Sequence, residues 1–157
     1  MLTLAVTFLV RVLLVALFLP FSALDKVLNF DAAEAQAAQA LPGWLAPLLI
    51  GCGLGIEIVM SLAILTGYFD RIAAFILAIY CIVTALLWKQ FWRTPDFRLR
   101  GSGDRALFWD FLKNVALAGG FLLLTFGTDA SGVRRFIDHP LQSSNPYARP
   151  DRSQGAP

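Results

Sequence analysis

Four apolar runs, each close to the length of a membrane crossing, leave this chain few ways to fold. The first extends from about Leu4 to Ala23 and is interrupted only by Arg11. The second, from about Trp44 to Gly67, is interrupted only by Glu57. The third, from about Ile72 to Trp88, is uncharged and flanked by Arg71 and Lys89. The fourth, from about Ala106 to Gly127, carries Asp110 and Lys113 in its first two turns. A helix needs about 20 mostly apolar residues to cross the hydrocarbon core. The runs lack the alternation of strands, and lipid admits only helices or closed barrels. The expected fold is therefore all-α: an integral membrane bundle of four transmembrane helices. Composition agrees. Of 157 residues 57% are hydrophobic and the mean hydropathy is +0.65, against about 45–50% apolar residues in soluble domains. A soluble fold of this length could not cover so much apolar surface. The first run has no basic stretch before it and no small-residue cleavage site after it, so it reads as an uncleaved span.

The connections differ in character. "NFDAAEAQAAQALPG" joins the first two spans. Asp31 followed by Glu34 has the spacing of a capping box, and the alanines favour helix. A short surface helix is expected from about Ala32 to Ala40, ended by Pro42 and Gly43. "TGYFDR" is short and makes spans two and three an antiparallel hairpin. "KQFWRTPDFRLRGSGDR" is long and mixes aromatic with basic side chains, which suits the headgroup region. Residues 1–137 form the transmembrane domain. Residues 138–157 form a polar tail, rich in Pro, Ser, Asn, Gln and Arg, that is expected to be disordered.

The charges do not fix an orientation. Arg71, Arg134, Arg135, Arg149 and Arg152 fall on one side; Lys26, Lys89, Arg93, Arg98, Arg100 and Arg105 fall on the other. That near-equal split decides nothing by the positive-inside rule. The net charge is only +2, and the basic residues gather in a loop and the tail, so there is no nucleic-acid footprint. Cys52 and Cys81 sit separately in apolar runs and are expected to be unpaired packing residues. The single His139 cannot build a metal site with them.

An ionised group near the bilayer centre costs at least about 2.5–3.5 kcal/mol, so it needs a partner or a function. Arg11 and Glu57 lie near the middles of successive antiparallel spans, and a guanidinium–carboxylate pair between them is expected on matched depth. Thr3, Thr7 and Arg11 recur four apart, as do Gly53, Glu57 and Ser61, giving each helix one polar stripe. Gly51 and Gly55 form a small-xxx-small pair that admits a close helix. In the fourth span Asp110, Lys113 and Asn114 share a face near one membrane surface. In the third, Tyr80, Thr84 and Trp88 recur four apart, as packing or as cavity lining. Antiparallel topology brings Lys26 to the same side as the Asp110–Lys113–Asn114 cluster. The candidate site is therefore Arg11, Lys26, Glu57, Tyr80, Asp110, Lys113 and Asn114, either a ligand cavity or a buried network that only orients helices.

Several of these segments together resemble the DoxX family of small four-helix bacterial membrane proteins. The resemblance is carried by "LVRVLLVALFLPF" around Arg11, by Lys26, by Glu57 followed by "LAILTG", by Arg71 after the turn, and above all by "FWDFLKNVALAGGFLLL". It extends over about residues 4 to 128, with Ala23 where many members carry a glycine three residues before the lysine. It implies an inner-membrane protein with both termini cytoplasmic, acting as a subunit or docking site of a membrane-associated oxidoreductase system, soluble or membrane-bound. A quinone-like head group would then be held by Glu57, Arg11 and Lys113. No haem, flavin or iron–sulfur motif is visible, so electrons would come from a partner. A second copy of the chain is also admitted as a partner. The alternative class is a small-solute or proton pathway, or a structural scaffold without catalysis.

Overall fold

Pro20 takes one backbone donor out of the first span, and its ring would clash with the carbonyl four residues back in a regular helix. The chain answers by widening. In the computed structural model, which describes residues 1–38, 42–93 and 103–148, helix α1 (Leu2–Val15) leads into a π-helical segment at Leu17–Ser22 and then into α2 (Ala23–Leu28). A wider turn gives the proline ring room, and such turns mark functional positions in many helices. Helix α3 (Phe30–Ala38) follows after a one-residue break. It begins two residues earlier than the capping-box pattern suggested. Asp31 lies in its first turn, and the Ala33 amide is bonded to the Asn29 carbonyl at 3.0 Å. The expected end at Ala40 lies outside the described residues.

Helices α4 (Ala46–Thr66) and α5 (Asp70–Trp88) form the expected hairpin. Gly67 closes α4 with φ +79°, the left-handed cap that glycine adopts without a Cβ penalty. Helix α6 (Gly103–Phe126) is the fourth crossing, and α7 (Ala130–Asp138) follows it. Among the described residues, four stretches are long and apolar enough to span a membrane: Leu2–Leu28, Gly43–Thr66, Asp70–Arg93 and Arg105–Phe126. No strand occurs among the described residues. One side of the bundle carries the N-terminus, the α4–α5 turn and α7. The opposite side carries α3 and the end of α5.

The core sits where α5 is most buried. Ala73, Ala74, Leu77, Ala78 and Cys81 form its inner stripe, packed with Ile64 of α4, Phe121 of α6, and Val15 and Phe18 of the first span, and Ala85 beyond them is also buried. Small side chains on a helix face let neighbouring backbones approach closely in lipid, where packing replaces the hydrophobic drive. Large apolar side chains such as Leu9, Leu13, Val59 and Leu62 point outward, as a lipid-facing surface requires. Cys81 is buried and Cys52 exposed, both as free thiols. Gly51 and Gly55 also face outward, so the close approach they admit is not used within this chain.

The side carrying the N-terminus is closed by polar contacts to helix ends. The Arg71 guanidinium donates to the Thr125 carbonyl at 2.8 Å, a group that the end of α6 leaves unsatisfied, and to the Gly132 carbonyl in the first turn of α7 at 3.0 Å. It also lies over the Phe136 ring, which packs with Phe75 and Phe126. Asp129 caps α7. The Ser131 hydroxyl and then the Gly132 amide donate to its carboxylate and hold its pKa below the usual carboxylate value. That cap is present above the ordinary carboxylate range and is lost as pH falls through the lowered value. Gly132 has no room for a side chain, because a Cβ there would meet the Phe126 carbonyl oxygen at 1.6 Å. Gly132→Ala should undock α7 at a cost of about 1–3 kcal/mol. Limited proteolysis should then cut after Gly127 faster than in the parent chain; equal rates would show that α7 is not held there.

Over its described part, residues 138–148, the polar tail makes hydrogen bonds to the bundle. The Ser143 hydroxyl donates to the Gly67 carbonyl at 2.6 Å, the Tyr147 hydroxyl donates to the Leu65 carbonyl, and the Ser144 amide and hydroxyl both donate to Asp70. Composition measures how much apolar surface a segment can bury. It does not register that the end of α4 offers carbonyls in need of donors. Residues 149–157 lie outside the described residues.

Candidate functional site

Buried charges organise the bundle into two networks, one toward each side. The expected Arg11–Glu57 pair is not formed. Arg11 is 4% exposed, and its guanidinium donates to Asp70 Oδ2 at 2.6 Å, to the Ile64 carbonyl at 2.6 Å and to Ser144 Oγ at 2.9 Å. Asp70, fully buried, is the first residue of α5. A carboxylate at a helix N-terminus and a cation at the end of α4 both match the helix dipoles. The depth of a Cα does not fix where a long side chain ends, because the arginine stem carries its charge several ångströms along the membrane normal.

Glu57 is instead claimed from the opposite side. Its carboxylate is 2% exposed and pairs with Lys26 at 2.6 Å. Lys26 also donates to Ser22 Oγ at 2.7 Å, and the Ser22 hydroxyl donates to Glu57 Oε1 at 3.0 Å. The Tyr80 hydroxyl donates to the same oxygen at 2.8 Å. Three donors thus converge on Oε1. The other oxygen, Oε2, and the neighbouring Ser61 Oγ are buried with no hydrogen-bond partner among the described residues. The polar stripe Gly53–Glu57–Ser61 is buried throughout. Gly53 leaves space for Tyr80, whose hydroxyl would lie 3.0 Å from a Cβ placed there.

This network lies beside a cavity of about 700 Å³. Of the seven candidate site residues, Lys26, Glu57, Tyr80, Asp110, Lys113 and Asn114 line it, and Arg11 does not. Apolar side chains make up much of the rest of its wall, with Leu17 and Phe18 from the first span, Ile50 and Ile56 from α4, and Val83 and Leu87 from α5; Ser22, Asp25, Asn29 and Lys89 add further polar groups. Helix α3 contributes a wall of Ala32, Ala33, Gln36 and Ala37, held by the Trp88 indole donating to the Gln36 carbonyl at 3.2 Å. Thr84 and Trp88 line the cavity with Tyr80, so the stripe on α5 faces inward. At the rim, Asp110 is shared by Lys89 at 3.5 Å and Lys113 at 3.2 Å, and the Asn114 amide donates to the Asp110 carbonyl.

The sequence reading overlooked Ser22, Asp70 and Ser144. Ser22 lies four residues before Lys26 on one helix face, a signal hidden by the expectation that the span ended there. Asp70 was passed over as part of a turn. No group of three or more His, Cys, Asp and Glu side chains among the described residues could hold a metal ion. Chemically, the arrangement offers ammonium and phenol donors, one carboxylate oxygen with spare accepting capacity, and apolar walls. Such convergent polar groups in a mostly apolar pocket suit an amphipathic ligand.

A protein-family model described as DoxX matches residues 6–90, more than half of the chain. The match takes in the first three spans and stops short of the "FWDFLKNVALAGGFLLL" segment. No curated protein and no solved structure matches the chain.

Proposed function

Taking as premise that the chain belongs to the DoxX family, we propose that it is a ligand-holding subunit of a membrane-associated oxidoreductase system, with a quinone-like head group in the cavity beside Glu57. The observation that carries this reading is the unpartnered, buried Glu57 Oε2 next to the Lys26 and Tyr80 donors. A buried carboxylate oxygen without a donor costs about 1–3 kcal/mol or more, and a ligand hydroxyl would satisfy it. Lys26 and Tyr80 would serve the carbonyl form of the same head group. A quinone, when bound, supplies two-electron, two-proton redox chemistry. The chain's own contribution is to hold the head group, exclude water with its apolar walls, and accept or return a proton at Glu57. Asp110, Lys113 and Asn114 stand at the rim, where Trp92, Trp109 and Arg93 are also exposed; that mixed aromatic and basic surface is where an electron-supplying partner would dock.

Purified in mild detergent and extracted with organic solvent, the protein is expected to carry a quinone-class lipid. Glu57→Gln and Tyr80→Phe should each lower its retention roughly five- to tenfold, the effect of about one hydrogen bond in the pocket. Ordinary phospholipid alone in the extract, unchanged by either substitution, would sink the redox reading.

A further inference from the structure

The first span is held to the bundle at few points. Within α1 only Arg11 and Val15 are buried; Leu2, Val6, Leu9, Val10 and Leu13 face outward. On the side carrying the N-terminus, the polar hold is therefore Arg11, with its bonds to Ile64, Asp70 and Ser144. The tail covers that hold. Ser144 bridges both members of the Arg11–Asp70 pair, Tyr147 lies 6.0 Å from the guanidinium, and Pro146 packs where a Gly67 side chain would be. Toward the opposite side the same span passes through the π-helical segment with Pro20 and delivers Ser22 and Lys26 to Glu57. Proline and π-bulges are the places where long helices bend.

We infer that residues 143–147 are a latch on the cavity. Docked, they clasp Arg11 and fix the first span, and so hold Ser22 and Lys26 against Glu57. Released, they leave Arg11 held by Asp70 and Ile64 alone and the first span less firmly fixed; its movement, carried through the continuous helical segment Leu17–Ser22, parts Lys26 and Ser22 from Glu57 and opens the cavity wall formed by Leu17 and Phe18. The consequence for a ligand rests on the reading of the cavity given above; the latch itself does not. Withdrawal of the tail by a partner, or its cleavage, would then act on a site at the other side of the bundle.

Hydrogen exchange read by mass spectrometry on the full chain in lipid nanodiscs tests this without any ligand. Ser144→Ala combined with Tyr147→Phe should speed exchange at 141–148, and also at 17–28, roughly tenfold, the scale of one or two lost hydrogen bonds. Residues 73–81 of the core should not change. Arg11→Lys keeps the charge but loses the forked donor, and should reproduce the effect at 17–28. Faster exchange at 141–148 with none at 17–28 would make the tail a local cap and overturn the latch. So would unchanged exchange at both. A chain ending at Pro140 should give the largest change at 17–28; if that chain does not fold, the full-length substitutions decide. A protein that carries no quinone but shows the coupled exchange would overturn the proposed ligand and keep the latch.

Discussion

Replacing Asp70 by alanine is expected to cost about 3–5 kcal/mol of stability, because it strands a buried guanidinium. Arg11 is 4% exposed and Asp70 fully buried. After the substitution Arg11 keeps the Ile64 carbonyl and Ser144 but no counter-charge, and Ser144 loses the acceptor for its amide and hydroxyl. Arg11→Ala should be nearly as damaging, since it leaves the carboxylate to two neutral donors. The double substitution should cost clearly less than the sum, with a coupling of about 1–3 kcal/mol. Arg11 and Glu57 share no partner and meet only through the first span, so the coupling between them should be clearly smaller than that between Arg11 and Asp70. The measurement is the folded fraction in mixed detergent micelles titrated with denaturing detergent. Coupling between Arg11 and Glu57 as large as that between Arg11 and Asp70, or no coupling between Arg11 and Asp70, would contradict the two-network arrangement.

The Lys26–Glu57 pair should respond unevenly. The Lys26 side chain is 17% exposed and that of Glu57 2%. An ammonium on a flexible stem can turn toward the membrane surface when its partner is gone; a short carboxylate side chain in the bundle cannot. Lys26→Met should therefore cost about 3–5 kcal/mol. Glu57→Gln keeps an acceptor for Tyr80 and Ser22 and should cost about 1–2 kcal/mol. Both together should recover part of the larger loss. The same titration reads this, and equal costs for the two single changes would show that Lys26 is as trapped as Glu57.

Much of this was legible in the sequence for a physical reason. Hydrocarbon thickness sets span length, so four apolar runs imply four crossings almost without regard to detail. Helical periodicity likewise placed Gly53, Glu57 and Ser61 on one buried face, and Asp110, Lys113 and Asn114 together on a partly exposed one. Partner choice was not legible. Arg11 and Lys26 have stems long enough to choose between acceptors a turn or more apart, and only the packed bundle decides. Ser22 was hidden by the widened turn at Pro20, which carries helix beyond the expected end of the span. The docking of Ser143, Ser144 and Tyr147 was hidden because its drive is unsatisfied carbonyls at the end of α4, not apolar area.

The clasp around Arg11 also bears on how the chain is made. Arg11 emerges from the ribosome 59 residues before Asp70 and 133 residues before Ser144. At about 5–20 residues per second, Ser144 follows Arg11 by roughly 7–27 s. The first span must therefore enter the bilayer with a lone cation, which shallow placement near a headgroup relieves. It can sink to its final depth once the α4–α5 hairpin brings Asp70. The closing stitch waits for Ser144 to leave the exit tunnel, so nascent chains arrested before Ser144 would be left with a paired but uncovered arginine.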